Sequence, residues 1–264
     1  MNRIDALFSR LQREHQRALV AYIAAGDPGL NATVDLALGL AEAGVDVLEL
    51  GLPFSDPLAD GVVNQKAAQR ALEAGTTVDG VFDAVARIRA ASELPIVFFS
   101  YFNPIFHYGL ERFLIRSRET GVDGILVLDL PPEEADGIWN NVPELRRISL
   151  IAPTTPPERM RRITASSSGF IYYVSREGVT GMQQSVPVSL AANVAAIKAV
   201  SPLPVCVGFG ISSPEQARAV ARLADGVVVG SAIVSRIEQL GKSPDLVPEV
   251  CSFVRKLAEA VHQP

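Results

Sequence analysis

Two carboxylates, Glu49 and Asp60, stand in unlike surroundings within LELGLPFSDPLADG (48–61). Glu49 sits among Val47, Leu48, Leu50 and Leu52, whereas Asp60 follows a proline-broken loop. If this apolar run is a strand, alternation sends Leu48 and Leu50 to one face and Val47, Glu49 and Gly51 to the other. Leucines suit a layer of covering helices, so Glu49 is expected at the mouth of the interior. Partial loss of water there raises a carboxyl pKa toward the range useful for general acid–base work. The competing expectation is an interior glutamate neutralised by a base, but no lysine or arginine is expected inside a strand to supply one. Asp60 precedes GVVNQKAAQRALEAG and reads equally as the N-cap of that helix or as a second functional acid. Asp56, between Ser55 and Pro57, reads as a turn residue whose exposed position leaves room for a partner contact.

A second group of residues points to an anion. GFGIS (208–212) and GSAI (230–233) each follow a strand-like run, and SREGVTGMQQSVP (175–187) follows another. Glycines allow backbone N–H groups to approach a phosphate, and a helix N-terminus adds a favourable partial charge. Ser231 offers a hydroxyl donor, and Gly181 stands in the third loop, which reads as a lid. Any one of these glycines alone would be read as a tight turn. Three such loops on consecutive strands imply a phosphorylated substrate. Neither the histidines (His15, His107, His262) nor the lysines (Lys66, Lys198, Lys242, Lys256) fall in strand-like runs. A zinc-dependent aldolase would lack its ligands and a Schiff-base aldolase its amine. Carbon–carbon chemistry here would use carboxylates and an electron sink within the substrate.

Elements to position these residues are legible along the chain. Apolar runs recur at 18–25, 45–53, 94–102, 124–131, 147–154, 169–175, 203–211 and 226–234, separated by Ala-rich amphipathic segments. Continuous rather than alternating runs suit parallel strands covered on both faces. Eight strand–helix units predict an α/β chain with a single-domain (β/α)8 TIM barrel spanning 1–264 and an extra N-terminal helix, NRIDALFSRLQREHQR. A doubly wound open sheet competes, but the total of eight favours the barrel. Chemistry in such barrels sits at the C-terminal ends of the strands. The chain has 264 residues, 48% hydrophobic and 20% charged, with net charge -5, which offers no basic stripe for nucleic acid. No apolar run approaches the ~18 residues of a membrane span. Two cysteines, Cys206 and Cys251, fit neither a disulfide framework nor a zinc spacing, and no targeting peptide is read, so a cytoplasmic location is expected.

LELGLPFSDPLADG resembles the signature of the tryptophan synthase alpha chains. AYIAAGDPG, SYFNPIFHYG, LVLDLP, SREGVTG, GFGIS and GSAIV also occur in the order of that family. The resemblance implies a TIM barrel that cleaves indole-3-glycerol phosphate to indole and glyceraldehyde 3-phosphate. It places the catalytic carboxylates at Glu49 and Asp60 and the phosphate ligands at Gly181, Phe209, Gly210, Gly230 and Ser231. Tyr172 matches a tyrosine near the catalytic glutamate, and Thr180 a threonine that positions the aspartate. Tyr22 stands where relatives often have phenylalanine beside the indole. The implied partner is a beta chain carrying pyridoxal phosphate, in an α2β2 heterotetramer. No cofactor or metal is implied in this chain itself. Pro53, Asp56, Pro57, Asn103, Pro104 and Pro131 fall on the loops that resemble the family's beta-contacting surface. Two other readings remain: a stand-alone indole-3-glycerol phosphate lyase, and a non-catalytic barrel retained for interaction.

Overall fold

A computed structural model describes residues 1–135, 137–138, 142–174, 189–208 and 210–264. The chain opens with α1 (Arg3–Arg13), β1 (Ala18–Ala24), α2 (Leu30–Glu42), β2 (Val47–Gly51), α3 (Val62–Glu73), α4 (Val78–Arg89) and β3 (Ile96–Ser100). It continues through α5 (Phe102–Tyr108), α6 (Leu110–Thr120), β4 (Gly124–Val127), α7 (Pro132–Ala135), β5 (Arg146–Arg147), β6 (Ser149–Ile151), α8 (Pro157–Ala165) and β7 (Ile171–Val174). The remainder is α9 (Ser189–Lys198), β8 (Val205–Gly208), α10 (Pro214–Ala221), β9 (Gly226–Val229), α11 (Ser231–Leu240) and α12 (Leu246–His262).

All strand pairs are parallel, in the order β5-β4-β3-β2-β1-β9-β8-β7-β6. Pairing of β1 with β9, Ala18 opposite Gly226, joins the two ends of the chain and excludes the open doubly wound sheet. The run 147–154, expected as one strand, is divided. Arg146–Arg147 pairs with β4, and Ser149–Ile151 pairs with β7. Ile148 spans the gap, its N–H bonded to Ile125 O at 2.9 Å, so the fifth strand of the barrel forms the seam. A second correction falls on 226–234. The strand ends at Val229 and the helix starts at Ser231, because Gly230 breaks the extended run.

Side-chain alternation divides the core into two parts. Ala18, Val20, Val47, Val97, Leu126, Ile148, Phe170, Cys206 and Val228 form the barrel interior. Leu48, Leu50, Phe98, Ile125 and Val207 face the helix layer instead. The N-terminal helix plugs the floor. Its buried face of Ile4, Leu7, Phe8 and Leu11 joins the interior cluster, with Phe8 packed 5.7 Å from Phe170. Burial of each such side chain stabilises by roughly 1.5–3 kcal/mol.

The opposite ends of the strands are tied by a repeated device. Asp46, Asp123 and Asp225 each stand one residue before a strand, β2, β4 and β9. Their carboxylates accept the N–H of Leu19, Ile96 and Val205 on the neighbouring strand, at 2.8–2.9 Å. Each satisfies a backbone donor that the ladder leaves free at the strand's beginning. This leaves the C-terminal ends as the open face, where Glu49 lies near the end of β2.

Candidate active site at the barrel mouth

Glu49 faces the interior, as alternation requires, with Tyr22 on β1 and Val97 on β3 as its register partners. It is 1% exposed, and both carboxylate oxygens are buried without a hydrogen-bond partner among the described residues. Burial raises its pKa from 4.5 to about 8. At neutral pH the carboxyl therefore holds its proton by about ten to one. The expectation that no basic residue lies in a strand needs correction, since β5 consists of Arg146 and Arg147. Arg146 is engaged elsewhere, paired with Asp5 of α1 at 2.5 Å.

Asp60 lies at the end of the loop from β2 to α3. The cap of α3 is Gly61, with no side-chain cap bond, so Asp60 does not serve as the N-cap. Its carboxylate accepts from Tyr101 Oη at 3.0 Å and from Asn64 Nδ2 at 3.5 Å. Tyr101 Oη in turn accepts the Ala59 N–H at 2.9 Å, so one phenol holds both the acid and its backbone. Burial raises the Asp60 pKa, and the bonds from Tyr101 and Asn64 oppose that rise. The two acids thus differ in kind: one unpartnered and protonated, the other hydrogen-bonded and half-buried. Tyr101 was not anticipated from the sequence. Its available signal was position, directly after β3 on the open face.

Aromatic rings wall the space between. Tyr22 packs edge-on to Phe99 at 5.1 Å, and Phe54 tilts against Tyr101 at 5.3 Å. A narrow pocket of only about 10 Å³ is bounded by Tyr22, Gly51, Phe54, Asp60, Phe99 and Tyr101, and it stops short of the Glu49 carboxyl. Two tyrosines lie across glycines of the next strand. A Cβ at Gly51 would fall 2.4 Å from Tyr22 Oη, and one at Gly208 the same distance from Tyr172 Oη. Only glycine allows either ring to lie there. Both phenols have pKa values raised well above 10, first by burial and then by neighbouring charge that includes Glu49, so both remain donors.

At the phosphate end, Gly230 caps α11 and Ser231 is its first residue, exposed. The first N–H groups of a helix have no acceptor within it, and they carry the positive end of the dipole. Gly210 is exposed with φ of 38°, a conformation suited to glycine, and a Cβ there would meet nothing within 4 Å. Thr180, Gly181 and Phe209 lie outside the described residues. Pro53, Asp56 and Pro57 fall on the β2–α3 loop, Asn103 and Pro104 on α5, and Pro131 just before α7. Asp56 accepts from Ser55 Oγ at 2.5 Å within a turn. Leu58 at 91% exposure and Phe106 at 68% belong to these same segments.

A wider cleft opens at the opposite end of the barrel, lined by Arg3, Asp123 and Arg146 among others. Arg3 is already paired with Glu93 and Asp123, and Arg146 with Asp5. Among the described residues that line it, none is a buried carboxylate without a partner as Glu49 is.

Residues 8–262 match the family model of the tryptophan synthase alpha chain. A tryptophan synthase alpha chain from Opitutus terrae is 49% identical, covering 94% of this chain and 94% of its own length. One from Geobacter sulfurreducens is 48% identical, covering 99% of each. The fold is similar to the crystal structure of tryptophan synthase subunit alpha from Legionella pneumophila, with TM-score 0.91 and 40% identity over 99% of this chain and 98% of that one.

Proposed function

The chain belongs to the tryptophan synthase alpha chain family, and from that premise we propose that it cleaves indole-3-glycerol phosphate to indole and D-glyceraldehyde 3-phosphate. The observation that carries this reading is the buried, unpartnered Glu49 carboxyl, protonated near neutral pH, on the same open face as the half-buried Asp60. Glu49 delivers its proton to C3 of the indole ring, which becomes an iminium-like cation with its charge at the ring nitrogen. Asp60 accepts a hydrogen bond from the ring N–H and stabilises that charge. The Glu49 carboxylate then removes the proton of the adjacent side-chain hydroxyl. The carbon–carbon electrons return to the ring, the hydroxyl carbon becomes the aldehyde, and Glu49 regains its proton. The ring nitrogen is the electron sink, so the step needs no metal or imine.

The phosphate is held by the N–H groups at Gly210, Gly230 and Ser231, with Gly181 and Phe209 completing the cradle and Thr180 steadying Asp60. Tyr172 and Tyr22 flank the reacting carbon. Binding at the phosphate end supplies positioning energy for the carboxylates. The partner is a beta chain that carries pyridoxal phosphate and consumes the indole, in an α2β2 heterotetramer. Exposed Leu58 and Phe106 support that surface, because large apolar side chains flank Asp56, Pro57, Asn103 and Pro104 there. The assembly works in the cytoplasm. Among the described residues, no helix is long and apolar enough to cross a membrane.

The test is indole release from indole-3-glycerol phosphate by the wild type, Glu49→Gln and Asp60→Asn, each with and without beta chain. Loss in both variants and a wild-type rate that rises with beta chain are expected. Activity that survives both substitutions refutes the assignment. A wild-type rate indifferent to beta chain favours a stand-alone lyase.

A further inference from the structure

Asp60 must be ionised to stabilise positive charge, yet it is half-buried, and no lysine, arginine or histidine among the described residues pairs with it. Tyr22 of β1, Tyr101 ahead of α5 and Tyr172 of β7 are the titratable groups that feel its charge, and Glu49 of β2 acts on two of the same phenols. The phenols stay neutral, and Glu49 keeps its proton up to about pH 8. None of these groups supplies positive charge. Ionisation of Asp60 therefore depends on neutral donors, and each carboxylate oxygen has one. Tyr101 Oη donates to Oδ2 at 3.0 Å, and Asn64 Nδ2 donates to Oδ1 at 3.5 Å. Asn64 lies in the first turn of α3, four residues after the acid. Its amide oxygen is buried and has no partner among the described residues. A buried acceptor left unpaired destabilises the fold, and a leucine of similar shape would avoid that cost. What the amide contributes in return is its N–H toward Asp60. The next residue, Gln65, addresses only the backbone, donating from Nε2 to Asp60 O at 2.9 Å.

We propose that Asn64 is a positioning residue for the cleavage reaction, whose amide N–H holds Oδ1 of Asp60 as an anion aimed at the ring N–H of the substrate. Asn64 acts through Asp60 alone. It does not bound the pocket, whereas Asp60 and Ala68, one turn further along α3, both do. At 3.5 Å the bond is long, and contacts to catalytic groups of this kind tighten as the substrate is engaged. This role rests on the reading above that Asp60 meets the indole nitrogen, and it accounts for how that aspartate stays charged beside no cation. Each carboxylate oxygen keeps a second lone pair, so neither donor competes with the ring N–H.

Leucine and aspartate both resemble asparagine in shape. Asn64→Leu removes the donor, and Asn64→Asp replaces it with a like charge. The value of kcat/KM for indole release is measured against pH, from about pH 5 to pH 9, with beta chain present. Activity is lost on the acid side as Asp60 takes up a proton. Loss of a donor therefore moves that limb to higher pH, and a like charge moves it further. Asn64→Leu should run about three- to tenfold below wild type at the acid end and close to it above neutrality, with its melting temperature held or raised. An acid limb that stays in place in both variants, or a loss equal at every pH, overturns the proposal. Titration of the Asp60 carboxyl by carbon-13 NMR, in wild type and Asn64→Leu, tests the same point without turnover. Its midpoint must rise in the variant, and an unmoved midpoint also overturns the proposal. If the wild type releases no indole at all, the lyase reading fails, yet the carboxyl titration still decides what Asn64 does.

Discussion

Replacing Glu49 by glutamine makes the protein more stable, and the gain grows with pH. A buried carboxyl whose pKa stands at about 8 when folded and near 4.5 when unfolded binds a proton in the folded state across that whole window. The unfolded chain releases that proton from about pH 4.5 upward, so wild-type stability falls as pH rises and levels off only above the folded value. Each tenfold step corresponds to about 1.4 kcal/mol. Between pH 5 and pH 9 the cumulative loss comes to about 4 kcal/mol, which glutamine, carrying no titrating proton, does not suffer. All other groups titrate in both proteins and cancel in the difference. Thermal unfolding of wild type and Glu49→Gln in parallel is the assay. The two melting temperatures should agree within a few degrees near pH 5. They should diverge by about 10 °C near pH 9, with glutamine the higher, at roughly 2–4 °C per kcal/mol for a chain of this size. Curves that stay parallel across that range would show that the carboxyl ionises as freely as in water. The argument that it is a resident acid at neutral pH would then collapse.

Two further outcomes follow from the packing around the site. Arg70 of α3 grips the carboxylate of Asp27 with two bonds, at 2.9 and 2.7 Å, and reaches Glu238 of α11 at 2.9 Å. Arg70→Met leaves Asp27, 2% exposed, without its cation, and should cost about 3 kcal/mol in urea unfolding; adding Asp27→Asn should restore much of that loss, and a double variant no better than the single one would refute the pairing. Gly51→Ala sets a methyl 2.4 Å from Tyr22 Oη and 2.8 Å from Cζ, so the ring must leave its place. Stability should drop by about 1–3 kcal/mol and indole release by tenfold or more, and an alanine variant with wild-type turnover would show that the position of Tyr22 does not matter.

Much of this arrangement was legible from periodicity alone. The alternation of VLELG turns Glu49 inward because a strand has only two faces and the leucines take one of them. The barrel followed from counting apolar runs. What escaped notice depended on contacts between distant segments. Arg146 enters a strand because the barrel closes there, one residue ahead of the apolar run that begins at Arg147. The three aspartates of GVDV, GVDG and LADG repeat one device, yet each is a lone acid before an apolar run until its neighbour's N–H is located. Tyr101 was in plain view within SYFNP, but its bond to Asp60 spans 41 residues and depends on how the long loop folds back. The N-cap reading of Asp60 failed by one position, since helix boundaries depend on which residue the loop delivers to the first turn.

The pairing of β1 with β9 has a consequence for how the molecule is made. Ala18 waits for Gly226, which leaves the ribosome 208 residues later, roughly 10–40 s at ordinary synthesis speeds. Throughout that interval β1 can pair with β2 on one side only, and its other edge stays open along a strand buried at all seven positions in the finished protein. Such an edge is a template for any other unpaired strand nearby. A nascent chain halted before β9, or a fragment lacking it, should therefore be captured by chaperones or aggregate, however sound its remaining strands.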